Sequence, residues 1–194
     1  MHTFTISGTA VLLALAPSAL AVGSASVTNM CSFPIYYASI AGQPEPMQAI
    51  PPGGGMSQAY SVQGQGVSIK LAMNDSESGP ISQFEYTWAS GQINYDLSNI
   101  NGYPFAADGI TITPSMESDS NYPTCVPIVC PAGASVCSAA YNQPDDTRTM
   151  VCSDQSSISL TLCPGGSAKR DVHLHPESHT RSIRHPHGRV WVTV

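Results

Sequence analysis

Two carboxylates, Glu85 and Asp96, have the residue type and the spacing that acid–base chemistry needs. Phe84, Tyr86 and Trp88 alternate with polar residues as on a half-buried β-strand, so Glu85 projects from the outer face. Asp96 belongs to the outward-facing residues of the next predicted strand. Glycoside hydrolysis uses two carboxyl groups, one to protonate the leaving oxygen and one as nucleophile or base. The pair is a candidate for that reaction; two solvated strand residues are the alternative, because Asp and Glu mostly lie exposed.

Histidine, a frequent proton-transfer residue, is missing between Val22 and Cys163. A Ser-His-Asp or Cys-His arrangement therefore cannot be built in that segment. Five of the six histidines follow Cys163, and the weak candidates there for copper or zinc ligands are His173, His175, His185 and His187. Tight metal sites need a fixed geometry, which a floppy tail does not supply, so we expect neither a bound metal nor any other cofactor.

The tail, residues 164–194, opens with the dibasic pair Lys169 and Arg170. Such a pair in an exposed secreted segment suits a kexin-like processing protease. We expect the tail either to be cut after Arg170 or to persist as a disordered extension, since it has few apolar residues to order it. Read-through of the gene model is a third explanation.

Residues 1–21 have the features of a signal peptide. The apolar run AVLLALA at 10–16 is followed by the small-residue pattern ALA at 19–21. No apolar stretch approaches the roughly 20 residues that a bilayer span requires. We therefore expect a chain that is secreted to the medium or the cell wall, has no membrane span and starts near Val22.

The cysteines also indicate a secreted protein. An even number of thiols in an exported chain predicts a disulfide framework in an oxidising compartment. None of them has the C-x2-C spacing of a structural zinc site. Their spacing leaves the pairing open; the six are Cys31, Cys125, Cys130, Cys137, Cys152 and Cys163.

The charge is distributed unevenly along the chain. Between Val22 and Cys163 the only basic residues are Lys70 and Arg148, against eleven acids, which gives this segment a net charge of −9. A surface with so few cations does not attract nucleic acid or an anionic membrane. We expect its partners to be neutral or cationic.

The sequence pattern of residues 22–163 predicts one all-β domain. Apolar residues recur at every second position, as in Val67, Ile69, Leu71 and Met73, and no stretch shows helical periodicity. The breaks are rich in Pro, Gly, Asn and Ser, as at 51–55. The length suits one core, so we predict a single disulfide-braced β-sandwich.

Three segments carry a resemblance to a known family: SVTNMCSFPIY at 26–36, YDLSNINGYPF at 95–105 and LTLC at 160–163. They resemble thaumatin-like proteins, most closely the small fungal branch of antigenic thaumatin-like or Blastomyces yeast-phase-specific proteins. The resemblance implies a thaumatin-like sandwich in which Cys31 pairs with Cys163. Three pairings then remain for the other four cysteines.

The resemblance also implies an acidic cleft that binds β-1,3-glucan in larger members of the family. Carried over residue by residue, Asp96 is retained, the second Asp falls on Asn101, and the Glu falls on Gln83. An amide can hold a sugar hydroxyl but cannot exchange its proton. We therefore expect a binding groove of Gln83, Glu85, Asn94, Asp96 and Asn101, with sugar rings stacked on exposed tyrosines such as Tyr36, Tyr37 or Tyr103.

Three functions remain open at this point. We favour a secreted, non-enzymatic monomer that binds neutral polysaccharide such as β-1,3-glucan or meets a host or microbial surface. A weak endo-β-1,3-glucanase that uses Glu85 and Asp96 is the second. The third is an effector or enzyme inhibitor that displays a protein-binding surface. Asn74 opens the sequon Asn-Asp-Ser, so we also expect a glycoprotein.

Overall fold

The computed structural model of the chain describes residues 21–61 and 63–166. Nearly all of the predicted signal peptide lies outside these residues, as do Lys169, Arg170, His173, His175, His185 and His187. The described part contains no helix and eleven strands: β1 (Ser24–Asn29), β2 (Ile35–Ile40), β3 (Gln48–Ile50), β4 (Gly55–Ala59), β5 (Gly66–Ala72), β6 (Ser82–Ala89), β7 (Gln92–Ser98), β8 (Ile110–Pro114), β9 (Ile128–Cys130), β10 (Met150–Ser153) and β11 (Ile158–Leu162).

The strands form two sheets that enclose one core. The first sheet has the order β4-β1-β11-β8-β9 and the second the order β10-β7-β6-β5-β2-β3. Inward residues of both sheets, such as Val27 and Leu160 in the first and Ile69, Phe84 and Tyr95 in the second, belong to one buried apolar cluster. The all-β sandwich predicted from the period-two pattern is confirmed.

The first and last strands lie side by side. β1 and β11 pair in parallel, from Ala25 opposite Ile158 to Asn29 opposite Leu162. Cys31 and Cys163, which follow these two strands, form the disulfide that the family resemblance implied. The pairing left open by the sequence is Cys125 with Cys152 and Cys130 with Cys137.

The sequence analysis did not predict β2, β3, β4, β9 or β10. β9 and β10 span only three and four residues, too few for an alternation to stand out. β4 includes Gly55, which the sequence assigned to a turn. A Cβ at Gly55 would lie 2.7 Å from the Val27 carbonyl oxygen, so the close approach of β4 to β1 requires glycine here.

Two residues depart from the predicted strand alternation. Met73 was predicted to continue the inward row of β5, but β5 ends at Ala72 and Met73 is 42% exposed. Ser98 alternates with Leu97 and would face outward like Asp96, yet it is buried where Tyr141 forms an isolated parallel bridge with it. The described part of the chain has no helix with the length and hydropathy to cross a membrane.

Candidate functional site

The outer face of the six-stranded sheet carries a polar cleft. Antiparallel pairing of β5, β6 and β7 places Ser68 opposite Glu85 and Glu85 opposite Asp96. Because every second residue of a strand faces the same side, Thr87 and Asn94 form the next row of this surface. The cleft has a volume of about 510 Å³, and its polar lining is Ser68, Glu85, Thr87, Asn94, Asp96 and Thr149.

Glu85 and Asp96 lie directly opposite each other on β6 and β7. The sequence had predicted that they share the outer face of the sheet. Both side chains are half-buried, and their directly opposed positions bring the two carboxyl groups close enough for one to hydrogen-bond the other when a proton is present. A carboxyl–carboxylate hydrogen bond requires one proton between the two groups, because an ionised carboxylate can only accept. The pair therefore behaves as one unit with a shared proton.

Burial is the main reason for the altered acidity of this pair. Burial, the adjacent Glu85 charge and the hydrogen bond to Glu85 raise the pKa of Asp96 to about 7. Burial also raises the pKa of Glu85, while the hydrogen bond from Asp96 works in the opposite direction. Asp96 therefore keeps the proton and donates a hydrogen bond to Glu85.

The buried Oδ1 atom of Asp96 supports this assignment. It receives no hydrogen bond from any N–H or O–H of the described residues. A buried oxygen without a donor costs roughly 1–3 kcal/mol. This penalty disfavours the ionised form of Asp96, so the cleft carries one negative charge rather than two at mildly acidic pH.

A second polar hollow continues the cleft along the same strands. Ser68 donates from Oγ to Gln83 Oε1 at 3.0 Å, and Gln83 Nε2 donates to Asn101 Oδ1 at 3.0 Å. Gln83 and Asn101 line this hollow of about 330 Å³ together with Lys70 and Glu77. The five residues of the predicted groove thus lie on one face of the sheet, divided between two adjoining hollows.

The cations of the described residues are neutralised locally. Lys70 forms an ion pair with Glu77, and Arg148 forms one with Asp146. Neither cation is among the residues that line the 510 Å³ cleft. The cleft therefore presents hydroxyl, amide and carboxyl groups without a fixed positive charge.

The three tyrosines named as stacking platforms do not line the cleft. Tyr37 lies opposite Leu71 and packs against the core, as Tyr103 also does. Tyr36 lines a separate hollow with Phe33 and Met73. The expectation that these rings surround the acidic groove is wrong, because β-strand alternation turns Tyr37 inward and leaves Tyr36 beyond the end of the cleft.

The sequence analysis missed several residues of the site. Ser68 and Lys70 alternate with Val67 and Ile69, so their outward direction was readable, but the pairing of β5 with β6 was not. Thr149 precedes a four-residue strand and gave no signal. In residues 21–61 and 63–166, no group of three His, Cys, Asp or Glu side chains is placed to hold a metal ion.

Comparison with known proteins gives a family match over most of the chain. The family model described as Bys1, Blastomyces yeast-phase-specific protein, matches residues 12–164. The antigenic thaumatin-like protein of Arthroderma benhamiae is 40% identical over 200 residues, which cover 97% of this chain and 99% of that protein. The secreted thaumatin-like protein calA of Emericella nidulans is 31% identical over 160 residues, which cover 79% of this chain and 90% of that protein.

Two solved structures have a similar fold. The protein elicitor MoHrip2 from Magnaporthe oryzae superposes with a TM-score of 0.60 at 21% identity, covering 73% of this chain and 98% of that one. The thaumatin-like xylanase inhibitor TLXI gives a TM-score of 0.51 at 14% identity, covering 72% and 99%. At these identities the likeness is one of fold, and it is the thaumatin-like fold.

Proposed function

The chain belongs to the family of the Blastomyces yeast-phase-specific protein, a secreted fungal branch of the thaumatin-like proteins, and we propose that it binds a neutral polysaccharide such as β-1,3-glucan. The observation that carries the proposal is the row of hydroxyl, amide and carboxyl groups along the outer face of β5, β6 and β7. Such groups recognise sugar hydroxyls by hydrogen bonds. The cleft has no cation in its lining, which favours a neutral ligand over an anionic one.

The contact between Glu85 and Asp96 argues against hydrolysis. Retaining glycosidases hold their two carboxyl groups about 5–5.5 Å apart and inverting ones about 6.5–9.5 Å apart. Directly opposed carboxyl groups that can share a proton are closer than either arrangement, which favours binding over hydrolysis. We therefore propose a binding protein rather than a glucanase.

Retention on insoluble polymers tests the proposal. The secreted, disulfide-intact protein is incubated with β-1,3-glucan, cellulose and chitin, and reducing sugar is measured in the same tubes. We expect retention on β-1,3-glucan without sugar release. Sugar release that the double variant Glu85→Gln, Asp96→Asn abolishes would instead establish a hydrolase.

A large side chain introduced into the cleft tests whether the polysaccharide binds there. Gly66 lies in the cleft lining with an ordinary backbone, and a Cβ there would meet only Thr87 Oγ1, at 3.6 Å. Gly66→Tyr therefore fills the cleft without disturbing the core, and we expect it to weaken retention roughly tenfold or more, the equivalent of about 1.4 kcal/mol. Ser57→Tyr, on the exposed face of β4 in the other sheet, is the control that should bind normally. Equal retention of the two variants would refute binding in the cleft.

The scattered tyrosines favour a second candidate function. Tyr36, Tyr37 and Tyr103 do not meet in the cleft, so no platform of these three rings is available there for sugar stacking. A protein partner that docks on the sandwich, as an effector or inhibitor requires, needs no such platform. Absence of retention on all three polymers would favour this function.

The processing of the chain is also a proposal. We infer that residues 1–21 are removed, that residues 22–163 form the mature domain, and that the tail is cut after Arg170. The alignment with the Arthroderma protein covers 97% of the chain, so it includes most of the tail, which argues against read-through. The intact mass of the secreted protein tests both cleavages, because each removed segment has a calculable mass.

A further inference from the structure

The sequon Asn74-Asp75-Ser76 lies in an exposed turn directly after β5. Asn74 Oδ1 accepts a hydrogen bond from the Ser76 backbone N–H at 3.2 Å, which holds the turn. This bond uses the oxygen of the side chain and neither N–H of Nδ2. The nitrogen that an N-linked glycan requires is therefore presented on an accessible turn of a secreted chain.

A shallow apolar hollow begins at this same asparagine. It has a volume of about 440 Å³, and its lining is Phe33, Pro34, Tyr36, Met73, Asn74 and Asp75. Tyr36 and Phe33 are half-exposed, and Met73 is 42% exposed. The hollow thus combines an accessible aromatic wall with the asparagine of the sequon.

Strand register explains why the ring and the asparagine are neighbours. Tyr36 on β2 lies opposite Ala72, the last residue of β5, and Asn74 follows two residues later. Tyr36 and Asn74 both line the same hollow, so the asparagine lies near the ring. A sugar attached to Asn74 starts at the rim of the hollow.

We propose that Asn74 carries an N-linked glycan whose first N-acetylglucosamine lies in this hollow against the ring of Tyr36. One face of a pyranose ring presents C–H groups, and burying them on an aromatic ring removes apolar surface from water. The covalent tether supplies the high effective concentration that a shallow hollow needs in order to be filled. This site is separate from the 510 Å³ cleft and does not depend on polysaccharide binding.

The attachment step is a glycosyl transfer from a lipid-diphosphate-linked oligosaccharide. A bond forms between Asn74 Nδ2 and C1 of the first sugar, the bond from C1 to the diphosphate oxygen breaks, and Nδ2 loses one proton. The lipid diphosphate is the leaving group. Ser76 is the residue of the sequon that the transferase requires beside Asn74.

Intact-mass measurement of the chain secreted from a yeast tests the attachment. We expect an amidase that removes N-glycans to lower the mass of the wild type, and Asn74→Gln and Ser76→Ala to be secreted without the glycan. Ser76→Thr keeps the sequon and should keep the glycan. An unmodified wild type would overturn the proposal.

Thermal unfolding tests the position of the first sugar. Endoglycosidase trimming leaves one N-acetylglucosamine on Asn74, and we expect the trimmed protein to melt about 2–4 °C above the Asn74→Gln variant. Tyr36→Phe, which keeps the ring, should preserve this difference, and Tyr36→Ala should abolish it. The same difference in Tyr36→Ala, or none in the wild type, would overturn the placement against Tyr36.

A measurement on the trimmed wild type needs no variant. Nuclear Overhauser contacts are expected between the N-acetyl methyl protons of the sugar and the ring protons of Tyr36. Contacts confined to Asn74 and Asp75 would show a sugar that points into solvent and would overturn the placement.

Discussion

Glu85 and Asp96 act as a single titrating unit because β6 and β7 place them directly opposite each other. Two ionised carboxylates in a half-buried position repel each other, and one proton relieves the repulsion. The proton resides on Asp96, whose pKa is raised to about 7 by burial and by Glu85. A ligand in the cleft therefore meets a surface whose charge changes from −1 to −2 as the pH passes neutrality.

Replacing Asp96 by Asn should stabilise the protein above neutral pH. In an unfolded chain an aspartate loses its proton near pH 4, about three pH units below the folded value. The folded state binds more protons in that interval, so wild-type stability falls as the pH rises from about 4 to 7. At pH 8 we expect Asp96→Asn to exceed the wild type by roughly 1–3 kcal/mol in the free energy of unfolding.

Urea unfolding at pH 4, 6 and 8 measures this effect. Asp145→Asn removes an equal charge from an exposed loop and should keep the wild-type pH dependence. The same slope in Asp96→Asn as in the wild type would contradict the shared proton.

Strand alternation was enough to predict that Glu85 and Asp96 share a face. It did not predict that they are directly opposed, because the register of β6 against β7 depends on the two-residue turn at Ser90 and Gly91. The hydrogen bond from Gln83 to Asn101 could not be predicted from the sequence either, since it joins a strand to a loop 18 residues away.

Among the elements, the corner after β1 depends on one buried side chain. Asn29 is fully buried; its Nδ2 donates to the carbonyl oxygens of Phe33 and Ile50, and its Oδ1 accepts from the Cys31 N–H, each at 2.9 Å. Asn29 thus joins the end of β1 to the loop before β2 and to the last residue of β3. An apolar residue here would leave three backbone groups without partners.

We expect Asn29→Ala to lower the free energy of unfolding by roughly 2–4 kcal/mol, since each lost bond costs about 1 kcal/mol and the buried backbone groups left unpaired add to it. Guanidinium unfolding of the oxidised protein measures the loss. Asn121→Ala, on an exposed loop, is the control and should change stability by less than about 0.5 kcal/mol. A similar small change for Asn29→Ala would contradict the role of this corner.

Long alternating elements were predictable and short ones were not. β6 and β7 contain Phe84, Tyr86, Ile93, Tyr95 and Leu97 at period two, which only a half-buried strand explains. β4 has a single large apolar residue, Met56, because it is an edge strand with one neighbour. Its place in the sheet follows from pairing with β1, which local sequence does not encode.

At the scale of the whole molecule, the three disulfides close loops of very different length. Cys31–Cys163 spans 132 residues, Cys125–Cys152 spans 27 and Cys130–Cys137 spans 7. A longer loop restricts the unfolded chain more. The bond between the first and last strands should therefore contribute most to stability.

Removing the disulfides one at a time should reveal that order. Loop-closure entropy predicts that replacing both cysteines of a disulfide by alanine lowers the free energy of unfolding. The expected losses are about 5, 3.5 and 2.4 kcal/mol for Cys31–Cys163, Cys125–Cys152 and Cys130–Cys137. Denaturation midpoints of the three double variants, compared with the wild type, test the ranking. A larger loss at Cys130–Cys137 than at Cys31–Cys163 would contradict it.

The parallel contact of β1 with β11, closed by Cys31–Cys163, also determines how the protein responds to mechanical load. When the chain is pulled at both ends, tension passes along β1 to Cys31, across the sulfur atoms to Cys163 and out through the tail. Residues 32–162 lie outside that path. A force applied to the two ends would therefore load a short covalent path and leave β5, β6 and β7 outside it.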